Sequence, residues 1–68
     1  MTVAELKESI LCQLIAAGGS HLVTNDALSD EGYRAVAELV YEQKIYDQDE
    51  PQGLLLVITR AGAEEVKP

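Results

Sequence analysis

The stretch Leu54-Leu55-Leu56-Val57-Ile58 decides the fold. It is the longest unbroken apolar run in the chain, with Pro51 and Gly53 before it and Thr59 after it. A run this short, closed by such punctuation, suits a strand and is too brief for a buried helix. Side chains alternate along a strand, so Leu54, Leu56 and Ile58 point one way and Leu55 and Val57 the other. Neither set is polar. The expected place for the strand is therefore the middle of a small sheet, or a contact between subunits, with both faces covered.

The flanking segments read as the parts that cover it. Ile45-Tyr46 is extended, and Asp47-Gln48-Asp49-Glu50-Pro51-Gln52-Gly53 reads as a polar loop, so the two segments form a hairpin with a long acidic tip. Thr59 is placed to cap a short helix, Arg60 to Val66. Upstream, Thr2 and Glu5 have the spacing of a capping box. From there Val3, Leu6, Ile10, Leu14 and Ala17, flanked by Leu11 and Ile15, give one broad apolar helical face. Lys7 projects from within that face, with a buried stem and an ammonium at the edge, while Cys12 projects away from it. Gly18-Gly19 stops the helix.

His21-Leu22-Val23-Thr24 reads as a short strand, and Asn25 as the cap of a single turn through Asp26-Ala27-Leu28. Ser29 then caps a helix from about Asp30 to Gln43, whose first acids Asp30 and Glu31 suit the positive end of its dipole. Tyr33, Val36, Ala37 and Val40 are its expected apolar face, with Leu39 at the margin. Its outward face is Glu31, Arg34, Ala35, Glu38 and Glu42.

The order of elements, helix, short strand, turn, helix and hairpin, resembles a winged helix-turn-helix domain. "LVYEQKIYD" (39–47) is similar to the end of a recognition helix running into the first wing strand. "LLLVITRAGAEEV" (54–66) is similar to the second wing strand and the "LT-x-x-G" helix start of MarR-type repressors, here Ile58-Thr59-Arg60-Ala61-Gly62. The resemblance implies an α+β fold, about three helices with a two- to three-stranded antiparallel sheet, in a single domain over 1–68. It also implies that His21-Leu22-Val23 and Ile45-Tyr46 lie on opposite sides of Leu54–Ile58, and that the chain binds DNA.

Charge points elsewhere. Twelve Asp and Glu stand against five Lys and Arg, a net charge of −7. Such a field repels nucleic acid and favours basic partners, besides keeping a small protein soluble. The helix face that would enter a major groove holds three carboxylates to one guanidinium, where a DNA reader needs Arg or Lys for phosphates. The wing tip carries Asp47, Asp49 and Glu50.

Other chemistry finds little support. Cys12 and His21 are each alone of their type and lie a helix length apart, which does not suit a nucleophile and its base. Counted as a calcium loop from Asp47, the tip has Gln52 where glycine is needed and Ile58 where glutamate is needed. No zinc spacing or phosphate loop occurs, so no catalytic residue, cofactor or metal is expected and the chain does not read as an enzyme. One thiol and a start, Met1-Thr2-Val3-Ala4-Glu5, without a basic n-region suit a soluble cytoplasmic protein.

The expectation is a small acidic winged-helix-like protein acting by protein–protein contact, a regulator or inhibitor of a basic or nucleic-acid-binding partner. By analogy with small acidic inhibitors it would be of phage or prophage origin. The partner surface would comprise Glu31, Arg34, Glu38, Tyr41, Glu42, Asp47, Asp49 and Glu50. The rival is a dimeric DNA-binding regulator whose cations Lys7, Arg34, Lys44, Arg60 and Lys67 gather on one side. Leu55 and Val57 are expected to form a homodimer or partner contact, unless Arg60–Val66 folds back over them.

Overall fold

The caps that the sequence offers at Thr2, Ser29 and Thr59 are used. In the computed structural model, which describes residues 2–24, 26 and 28–66, Thr2 Oγ1 accepts the Glu5 N–H at 3.2 Å and Glu5 Oε1 accepts the Thr2 N–H at 3.2 Å. This capping box opens helix α1, Val3–Ala16. Ser29 Oγ accepts the Gly32 N–H at 3.1 Å at the start of α2, Asp30–Tyr41. Thr59 Oγ1 does the same for Gly62, at 3.1 Å, at the start of α3, Arg60–Glu65. The one-turn helix expected at 25–28 involves Asn25 and Ala27, which lie outside the described residues, as does Lys67.

Strands β1 (Ser20–Thr24), β2 (Ile45–Glu50) and β3 (Gly53–Ile58) form one antiparallel sheet in the order β1-β3-β2. The two-faced apolar strand is therefore central, and the molecule is the small α+β domain with a winged-helix-like layout that its sequence suggests. Leu56 of β3 packs with Leu11 and Leu14 of α1, Val36 and Leu39 of α2 and Ile45 of β2, each at most 4% exposed. Leu54 and Ile58 border this cluster from the same side of the strand.

Three expectations need correction. The buried stripe of α2 is Gly32, Ala35, Val36 and Leu39, whereas Tyr33 is 45% exposed and Ala37 is exposed. Ala35 was expected outward, yet it is fully buried. At Gly32 the packing is close: an added Cβ would sit 3.1 Å from Leu28 Cδ2. In α1, likewise, Leu11 is at the centre of the buried face and Ile15 is 45% exposed.

Second, the acidic segment is no loop. Asp47, Gln48, Asp49 and Glu50 continue β2 and pair with Leu56, Leu55, Leu54 and Gly53, leaving Pro51-Gln52 as a two-residue turn. Past the buried Ile45 this edge segment contributes no core side chain, so its pairing rests on backbone hydrogen bonds and needs no apolar period. Third, α2 stops at Tyr41 rather than Gln43. Gln43 takes a left-handed φ of 62°, and the Lys44 N–H reaches back to the Leu39 carbonyl at 2.9 Å while the Gln43 N–H bonds Val40 at 3.0 Å. These two bonds are the Schellman pattern.

The turn that follows α2 is fastened to the end of β3. Thr59 Oγ1 donates to the Gln43 carbonyl at 2.8 Å, and the Thr59 N–H donates to the Lys44 carbonyl at 2.9 Å. A Cβ on Gly62 would collide with the same Lys44 carbonyl, so only glycine lets α3 lie this close.

Two substitutions test the arrangement. Leu56→Ala removes core methyl groups and is expected to cost on the order of 2–5 kcal/mol, enough to leave so small a domain largely unfolded by circular dichroism at about 37 °C. Gly62→Ala should cost about 1–3 kcal/mol through overpacking against backbone. An unchanged melting curve for Leu56→Ala would remove β3 from the centre of the core, and one for Gly62→Ala would remove the close approach of α3.

Candidate interaction surfaces

Pairing register sorts the surface residues onto faces. Directly opposed residues of an antiparallel pair share a side. Leu55 and Val57 therefore share one face with Ser20, Leu22 and Thr24 of β1 and with Tyr46, Gln48 and Glu50 of β2. The helices lie on the other face. Val66, at the end of α3, packs against the core cluster on that helix side, so α3 does not fold back over Leu55 and Val57. Leu55 and Val57 are half-buried by their strand neighbours, Leu22 is 38% exposed and Tyr46 is 67% exposed. Leu22 and Tyr46 thus join the expected contact pair on an open face with an apolar middle. The period-two alternation of His21-Leu22-Val23 carried that signal for Leu22, but only pairing with β3 says which face it takes.

The carboxylates expected on one partner surface divide among several. Glu38 and Glu42 turn toward α1, where Lys7 Nζ lies 3.4 Å from Glu38 Oε1 and 2.7 Å from Glu42 Oε2. Lys7 behaves as expected, its side chain only 19% exposed and its ammonium at the edge. Glu42 also meets Lys44 Nζ at 3.3 Å, and Lys44 meets Glu65 at 3.2 Å. One alternating chain of charges, Glu38-Lys7-Glu42-Lys44-Glu65, thereby joins α1, α2, the turn after α2 and α3.

Asp47 and Asp49 lie opposite Leu56 and Leu54 on the helix side of the wing, whereas Glu50 lies on the open side and accepts a hydrogen bond from Gln48 Nε2 at 3.2 Å. Glu31, Arg34 and Tyr41 remain on the exposed surface of α2, with Tyr41 89% exposed.

Three of the four described cations have ion-pair partners within the chain. Lys7 and Lys44 sit in the network just described, and Arg60 Nε meets Glu64 at 3.3 Å. Arg34 is the one cation without an ion pair among the described residues. By contrast, the exposed Asp47 and Asp49 side chains have no ion pair or hydrogen bond among the described residues. Cys12 is exposed. No helix of the described residues is long and apolar enough to cross a membrane.

Titration should report the network. The hydrogen bond from Lys7, helped by Lys44, holds the Glu42 carboxyl below the usual carboxylate range. Glu42 raises Lys7 above the usual lysine range, and Glu65, then Glu42, does so for Lys44. A depressed carboxyl contributes stability that is complete above its unfolded pKa and is lost as pH falls through its folded pKa. The melting-temperature difference between wild type and Glu42→Gln is therefore expected to be constant from about pH 6 to about pH 9 and to shrink below about pH 4.5. A difference that grows on acidification would mean that Glu42 is not held by these cations in solution.

Comparison of the chain with models of protein families, with curated proteins and with solved structures finds no match.

Proposed function

We propose that this chain is a winged-helix-like interaction module, a regulator or inhibitor that binds a basic surface on a basic or nucleic-acid-binding partner. The observation that carries this reading is the division of charge. Three of the four described cations have carboxylate partners within the chain, Lys7 and Lys44 half-buried and Arg60 at the exposed surface, while Asp47 and Asp49 stand exposed on the wing with no ion pair among the described residues. A DNA-reading winged helix needs the reverse, free Arg and Lys for phosphates and an uncharged or basic wing. Exposed carboxylates instead accept charge-assisted hydrogen bonds from Arg or Lys of a partner protein.

Within the expected surface the roles now differ. Glu38 and Glu42 serve the fold, because recruiting them to a partner would first break their bonds to Lys7 and Lys44. The contact is left to Asp47, Asp49 and Glu50 on the wing, with Glu31 and Arg34 on α2. Tyr41 has the exposure and ring size of an anchor.

Fluorescence anisotropy with duplex DNA at about 0.15 M salt is expected to show no binding. Affinity capture from cell extract should retain a basic protein that is lost when Asp47→Lys and Asp49→Lys are combined, with the melting curve preserved. Salt-dependent, sub-micromolar DNA binding would overturn the reading and favour a DNA-binding regulator.

A further inference from the structure

The two edges of the sheet are built differently. The β2 edge carries Asp47, Asp49 and Glu50, charged side chains of the kind that keep strand edges from pairing. The β1 edge, Ser20-His21-Leu22-Val23-Thr24, has no charge and no proline, and it pairs residue for residue with Val57 to Gly53 without a bulge. Nothing in its sequence guards it.

The backbone groups it leaves open can be named. The Ile58 N–H donates to the Gly19 carbonyl at 2.8 Å, one residue before the strand. Hydrogen-bonded positions alternate along an antiparallel pair, so His21 and Val23 bond to β3. The N–H and C=O groups of Ser20, Leu22 and Thr24 therefore point away from the sheet.

We infer that the β1 edge is a self-association site, where a second copy of this chain pairs antiparallel about a two-fold axis at Leu22. Ser20 of one copy then lies opposite Thr24 of the other, and Leu22 opposite Leu22, so every outward N–H meets an outward C=O. The two Leu22 side chains come together on the open face beside Leu55 of each copy. They join the apolar middles of the two sheets into one strip.

The edge is self-complementary about Leu22, and charge selects among the geometries in which two copies can meet. Each chain carries −7, so two copies repel unless their acidic parts stay apart. Joining β1 to β1 puts the two acidic β2 strands at the far ends of a six-stranded sheet, whereas pairing through β2 brings Asp47, Asp49 and Glu50 of the two copies together. On the helix side the approach is bordered by Gln13, Ala16 and Ala17 beside His21; none is acidic or basic, and two are alanines. The contact is short, so it belongs with small, weak interfaces. It leaves both wings free and stands apart from the basic-partner reading.

Sedimentation equilibrium from about 1 µM to about 1 mM, combined with amide exchange, tests the inference. The expected result is a monomer–dimer equilibrium in which the Ser20, Leu22 and Thr24 amides slow as concentration rises, while His21 and Val23 are protected throughout. Leu22→Pro removes an N–H that no β3 carbonyl uses, and proline is tolerated on an edge strand. It should abolish the dimer and keep the monomer's melting curve, with Leu22→Lys as a second variant should proline unfold the domain. A monomer across the whole range would overturn the inference. So would a dimer that survives a folded Leu22 variant, or one lost in Tyr46→Lys while the outward β1 amides exchange freely.

Discussion

Two carbonyl groups at the end of α2 fix how the helices meet the sheet. Those of Gln43 and Lys44 receive the Thr59 hydroxyl and the Thr59 amide, and the bare α-carbon of Gly62 lies against the second. Through these contacts the exit of α2, the start of β2, the end of β3 and the start of α3 become one joint. The register Ile45↔Ile58 follows directly from it, and so do the positions of Leu56 and Leu39 across the core. Lys44 closes the joint from outside, its ammonium bridging Glu42 and Glu65. A domain this small has little stability in reserve, and concentrating four element ends at one place spares it a longer loop.

What was legible in the sequence is what depends on near neighbours. The capping hydroxyls Thr2, Ser29 and Thr59 act within three residues, and a run apolar on both faces announces a central strand. The rest depends on contacts that spacing does not encode. The periodicity of α2 says that one side is buried, but not that Gly32 and Ala35 belong to it. Residues Asp47 to Glu50 carry no apolar signal, since past the buried Ile45 this edge segment contributes no core side chain.

The wing carboxylates could be named from the sequence, but not sorted. Asp47 and Asp49 part company with Glu50 only once the register with β3 is known. Glu38 and Glu42 read as surface acids because their partner, Lys7, lies on a different helix far away in sequence. An excess of acid seen in composition thus has two uses in the folded chain, one structural and one outward-facing, and only geometry separates them.

The two-residue turn at Pro51-Gln52 has a consequence for how the wing can change. Beyond Ile45, β2 contributes no fully buried side chain, and a tight turn is a place where added residues disturb little of the domain. Each residue pair added symmetrically across the tip would lengthen the arm by about 3.3 Å, leaving Asp47, Asp49 and Glu50 on their present faces. A single residue inserted within β2 would do the opposite, carrying the acids beyond it to the other side of the sheet. Reach and charge presentation are separate variables in this hairpin: one is set by length at the tip, the other by parity along the strand.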